Sequence, residues 1–142
     1  LENVSNRPDL WKDSDPVRPE LGVAYKTYPG RDVYGLKDET GEYVAFCCIA
    51  KTTSVPVDIM TLSNFTFIDG KIWVPYTVWS LRRGAGKAII NAVLDLARLR
   101  PSAVNRVVTL SPQTEMARNF HLKNGAFEVS RNIVTVNFEY KI

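Results

Sequence analysis

Between Lys71 and Arg100 the chain changes its hydrophobic period abruptly, and this junction constrains the fold more than any other stretch. Lys71-Ile72-Trp73-Val74-Pro75-Tyr76-Thr77-Val78-Trp79-Ser80 is rich in β-branched and aromatic residues and reads as a strand. From Ala88 to Arg100 the apolar residues Ile89, Ile90, Val93, Leu94 and Ala97 recur at helical spacing, and Pro101 ends the run. The hexapeptide Arg83-Gly84-Ala85-Gly86-Lys87-Ala88 joins the two. A glycine turn at such a joint aims backbone N–H groups outward at the positive end of the helix dipole, which suits a pyrophosphate. Glycine lets the phosphate approach where a Cβ would block it. Arg82, Arg83 and Lys87 add positive charge at the same point. The same two glycines also fit a tight turn that binds nothing.

Two common phosphate motifs are excluded by register. A P-loop needs Lys followed by Ser or Thr, and a further glycine five residues earlier; Lys87 is followed by Ala88 and that glycine is missing. A dinucleotide fingerprint needs a third glycine where Ile89 stands.

At 142 residues the chain fits one domain, 1–142, with an irregular N-terminal arm over about residues 1–20. The arm holds Pro8, Pro16 and Pro19; one helical turn is expected at Pro8 to Lys12, with Trp11 packing it down. The 18 basic against 15 acidic residues give a net charge of +3, too mild to argue for a nucleic-acid binder. No apolar run is long enough for a membrane span, and the polar N-terminus lacks a signal core, so a cytoplasmic location is expected. Cys47 and Cys48 are adjacent, point to opposite faces of a strand, and fit a reducing compartment. With one histidine and no spaced cysteine pair, no metal site is expected.

In order, Glu20 to Lys26 is open between helix and strand. Arg31 to Lys37 and Glu42 to Thr52 read as a hairpin, the second arm apolar enough to be covered on both faces. A short helix is expected near Asp58 to Leu62. Asp69-Gly70 between Phe65–Ile68 and Lys71–Ser80 predicts a second hairpin. Pro75 lacks an N–H, so the ladder breaks there, at an edge, a bulge or a splay. After the long helix, Arg106 to Ser111 reads as a strand. Ser111-Pro112 predicts the start of a helix ending at about Asn124, before Gly125. Phe127 to Ser130 and Ile133 to Tyr140 close the chain as a hairpin. The order predicts an α/β fold: a mixed, mostly antiparallel twisted sheet with flanking helices.

Arg83, Gly86 and Ala88 satisfy, in register, the pattern Arg/Gln-x-x-Gly-x-Gly/Ala. This resembles the acetyl-CoA-binding motif of the GNAT superfamily of N-acetyltransferases. A second pattern of that superfamily, Ala-x-x-aromatic/Leu-Tyr-x-x-x-Gly-Phe, is matched by Ala117, Phe120 and Gly125. It departs at His121, which takes the tyrosine position, at Ala126, which takes the phenylalanine position, and at Thr114, where asparagine is usual. The resemblance covers about residues 31 to 140, and the compact length resembles small microbial or phage members.

The resemblance implies a sheet with splayed central strands and an acetyl-CoA co-substrate. Its pantetheine arm would meet the backbone of Tyr76, Thr77 and Val78, and its pyrophosphate Arg82, Arg83, Gly84, Ala85, Gly86, Lys87 and Ala88. It implies His121 as the catalytic general acid that protonates the leaving thiolate; the alternative is a histidine that only hydrogen-bonds near the helix end. Asp58, Glu115 and Glu128 are base candidates by residue type alone, and Cys47 or Cys48 as nucleophile stands against their reading as buried thiols. The implied activity is acetyl transfer to a primary amine of a small molecule or peptide by direct attack. The alternatives are a CoA-binding or interaction module without transfer activity, or a nucleic-acid-modifying member. A homodimer through Phe138 and Tyr140 is also expected.

Overall fold

The computed structural model describes residues 1–142. Eight strands form one sheet: β1 (Glu2–Asn3), β2 (Arg31–Lys37), β3 (Tyr43–Thr52), β4 (Ile72–Ser80), β5 (Arg106–Val108), β6 (Ser111–Pro112), β7 (Phe127–Arg131) and β8 (Thr135–Tyr140). Their order is β1-β2-β3-β4-β5-β8-β6, with β7 on β8. Every pairing is antiparallel except β4 with β5, which α3 (Ala85–Arg98) connects. The other helices are α1 (Val23–Lys26), α2 (Ile59–Phe65) and α4 (Glu115–Lys123).

The apolar strand β3 is covered on both faces, as its composition predicts, and Cys47 and Cys48 mark the two sides. On the Cys47 side Ile89, Ile90, Val93, Leu94 and Ala97 of α3 pack with Trp73, Val107 and Phe138. On the Cys48 side Val4 and Trp11 of the N-terminal arm pack with Phe46, Leu62, Tyr76, Trp79 and Leu110. The arm contains the expected turn at Pro8–Leu10, and Trp11 is buried with its indole N–H donating to Val4 O at 2.9 Å. The segment left open between helix and strand is the single turn α1.

Three expectations are corrected. Phe65–Ile68 does not form a hairpin with β4. Asp58 caps α2 through a reciprocal bond with Thr61, which commits the segment through Phe65 to helix. Gly70 serves another purpose there: a Cβ on it would lie 2.6 Å from the Thr52 backbone. Ser111 does not cap a helix, because its hydroxyl is buried against Thr109 Oγ1 at 2.8 Å and its backbone pairs with β8; Thr114 caps α4 instead. Phe138 and Tyr140 are buried rather than exposed, since β8 is an interior strand, and they offer no dimer surface.

Candidate active-site cleft

The expected break at Pro75 is present on both edges of β4. Against β3 the register shifts between Cys48 and Ile49, leaving Pro75 and Tyr76 as a bulge. Against β5 the pairing covers only Ile72 with Arg106 and Trp73 with Val107. Leu110 N–H still donates to Pro75 O at 3.2 Å, and past that point the strands part. Leu81 N–H bonds Val44 O, so by strand alternation the backbone of Val78 and Ser80 turns to the open side. A cavity of about 330 Å³ occupies the gap. Its walls are β4 from Pro75 to Ser80, the Leu110–Pro112 segment, Thr114, Met116, Ala117, Phe120 and His121 of the α4 region, and Pro16 and Val17 of the arm.

The glycine turn lies directly beyond Ser80. Gly84 takes φ 84°, the left-handed region that favours glycine, and starts α3. The N–H groups of Arg83, Gly84, Gly86 and Lys87 have no partner within the chain, the arrangement an anion at a helix N-terminus needs. Ala85 faces the core, while Arg83, Lys87 and Ala88 are exposed. Arg82 is drawn toward the β2–β3 turn by an ion pair with Asp38 at 2.6 Å. Gly86 has a packing reason as well: a Cβ there would stand 3.1 Å from Cε1 of Phe120.

Of the three β4 residues expected at the pantetheine, Val78 alone presents a free backbone. Tyr76 O is already bonded by Arg18 Nε at 2.8 Å, and the Thr77 backbone faces β3 opposite Cys48, while its hydroxyl bonds Asp15 at 2.9 and 3.0 Å. Ser80 faces the same open side by alternation.

His121 lines the cavity, 7% exposed, stacked on Phe138 with ring centroids 5.3 Å apart. Burial lowers its pKa to about 4, so the imidazole is neutral at pH 7. Its Nδ1 lies 2.7 Å from the Tyr140 hydroxyl. Burial also raises the Tyr140 pKa, which keeps that hydroxyl protonated, able to donate to Nδ1 or to accept from it. The expected general acid therefore stands in the cleft as a neutral imidazole that reaches the cavity wall.

The arm supplies the part of the site that sequence patterns missed. Arg18, 8% exposed, donates from Nε to Tyr76 O and from Nη2 to Leu110 O at 2.9 Å, spanning the parted strands. Asp15 accepts from the backbone of Val17 and Arg18 and pairs with buried Lys26 at 2.7 Å. No local motif announces these contacts; Asp15 preceding Pro16 signals a turn and nothing more.

The base candidates do not join the site. Asp58 caps α2, Glu115 is exposed on α4, and Glu128 pairs with Arg118 and Arg131. Burial raises the thiol pKa of Cys47 and Cys48 far from the nucleophilic range.

No protein-family model matches this sequence, and no curated protein does. Solved structures match it by shape. The GNAT domain of S. lividans PAT is 13% identical, with 98% of this chain and 85% of that one covered and a TM-score of 0.64. AAC(6')-Ib in complex with ribostamycin and coenzyme A is 14% identical, with 98% and 83% covered and a TM-score of 0.64. The GphF GNAT-like decarboxylase in complex with isobutyryl-CoA is 17% identical, with 76% of each chain covered and a TM-score of 0.61. At these identities the likeness is one of backbone architecture, and that architecture is the GNAT fold.

Proposed function

We propose that this protein is an acetyl-CoA-dependent N-acetyltransferase that passes the acetyl group to a primary amine by direct attack. The observation that carries the reading is the continuity of three features: the open backbone at Val78 and Ser80, the unpartnered amides of Arg83, Gly84, Gly86 and Lys87, and a cavity between the open strand and His121. A thioester on an extended arm, with a pyrophosphate at its far end, matches that sequence of groups. The solved neighbours that hold coenzyme A and isobutyryl-CoA support a CoA-type ligand.

In this reading the amine nitrogen attacks the thioester carbonyl, the C–S bond breaks, and the sulfur takes up a proton. In the same reading the Tyr140 hydroxyl donates to His121 Nδ1, which leaves Nε2–H to stabilise negative charge developing in the cavity. The test is calorimetric titration with acetyl-CoA and with CoA, using Gly86→Trp as the blocked control. Micromolar binding that disappears in the control is expected; absence of binding at millimolar ligand overturns the reading. CoA binding with no transfer to any amine leaves the second reading, a CoA-binding module, which the lack of a carboxylate in the cavity wall favours.

A further inference from the structure

The cavity wall carries no charged side chain. Its polar groups are hydroxyls, backbone and the imidazole of His121, and no Asp, Glu, Lys or Arg contributes to it. Behind this neutral wall the buried charges Asp15, Arg18 and Lys26 are positive in sum. Lys26 and Asp15 offset each other at 2.7 Å, whereas buried Arg18 meets only the carbonyls of Tyr76 and Leu110, two residues of the wall itself. One positive charge is therefore left unmatched beside the cavity, and Glu20, the other carboxylate that acts on Arg18, is exposed. In a low-dielectric site such a charge repels an ammonium group, and a neutral wall does nothing to solvate one.

The wall also holds no group able to take a proton from an ammonium ion. His121 is buried against Phe138 and bonded to Tyr140 at Nδ1, and burial disfavours the imidazolium that taking up such a proton would form. Asp15, the nearest buried carboxylate, has both oxygens occupied by Thr77, Lys26 and the arm backbone.

We propose that the acceptor is a weakly basic amine that enters the cavity uncharged, such as an α-amine next to a carbonyl, an arylamine or an arylhydrazine, rather than an alkylamine or polyamine. This rests on the acetyltransferase reading and names its acceptor class. The step balances without an enzyme base: the neutral amine forms the C–N bond, the C–S bond breaks, and the nitrogen's surplus proton ends on the sulfur, giving amide and free CoA. The concentration of neutral amine sets the rate. At pH 7 an α-amine with a pKa of about 7.7–8.0 is roughly a tenth neutral, whereas a lysine-like amine near 10.4 is neutral in well under a thousandth.

The test uses the full chain, acetyl-CoA and thiol release at pH 7, with glycinamide, phenylhydrazine, butylamine and spermidine as acceptors, alongside a CoA titration. Expected is a kcat/KM, on total amine, at least roughly tenfold higher for the first two than for the last two. Val17→Glu places a carboxylate on the exposed arm side of the wall. It is expected to raise the spermidine rate relative to glycinamide severalfold. Spermidine or butylamine used as well as the weak bases by the wild type overturns the proposal and leaves the acetyltransferase reading standing. CoA binding with no transfer to any of the four also overturns it. Absence of CoA binding removes both readings together.

Discussion

The Tyr140 hydroxyl stands 2.7 Å from His121 Nδ1, so a residue of the final strand anchors the ring of the histidine in the cleft. Tyr140→Phe removes the hydrogen-bond partner of Nδ1 and frees the ring to turn. Turnover is expected to fall about tenfold while CoA affinity holds and stability drops by about 1 kcal/mol. His121→Ala is expected to lower turnover more than acetyl-CoA affinity. Steady-state kinetics with calorimetry checks both, and unchanged turnover at saturating acceptor would remove His121 from the chemistry.

The same histidine sets an acid limit on stability. Its pKa falls from 6.5 to about 4 on folding, so the unfolded chain takes up the proton first as pH drops. The contribution is fully present above pH 6.5, is lost progressively between 6.5 and about 4, and amounts to ~3 kcal/mol. Urea denaturation from pH 8 to pH 4 reads it, and in His121→Phe the slope across that window is expected to flatten.

Arg18 and Lys26 hold the arm to the cleft. Arg18→Met orphans the buried carbonyls of Tyr76 and Leu110 and is expected to destabilise by about 2–5 kcal/mol. Lys26→Met strands the buried Asp15 carboxylate, with an expected loss of about 3–5 kcal/mol. Chemical denaturation checks both. A change below about 0.5 kcal/mol in either would mean that the arm does not bear on β4 as described.

The two turn glycines separate conformation from contact. Gly84→Val forces a β-branched residue to φ 84° and is expected to cost about 1–2 kcal/mol of stability. Gly84 has open space around it, so that loss is backbone strain. Gly86→Trp places its side chain against Phe120 and across the free amides, and the expected result is loss of CoA binding. Thermal melts paired with CoA titration distinguish the two.

Cys47 and Cys48 are expected to be inert. Both are fully buried with raised thiol pKa, so iodoacetamide at pH 8 should label neither in the native protein and leave activity intact. Stoichiometric labelling without unfolding, read by mass spectrometry, would contradict the packing.

The sequence by itself determined the elements whose signal is local. The β2–β3 hairpin, β4 with its break at Pro75, the glycine turn, α3 and the closing hairpin were legible because period, capping and backbone restriction act within a few residues. Val78 and the amides of Arg83, Gly84, Gly86 and Lys87 followed from the same local register. Only the tertiary structure decided the rest. Gly70 looked like a hairpin signal, and its reason is the Thr52 backbone pressed against it. Ser111 looked like a helix cap, and its hydroxyl is claimed by Thr109 inside the sheet. The neutrality of His121 comes from burial between Phe138 and Tyr140, and the positive back wall of the cleft from Arg18 reaching Leu110 across 92 positions. Such contacts join residues far apart in the chain, and burial, which sets both pKa and charge balance, exists only once those residues have met.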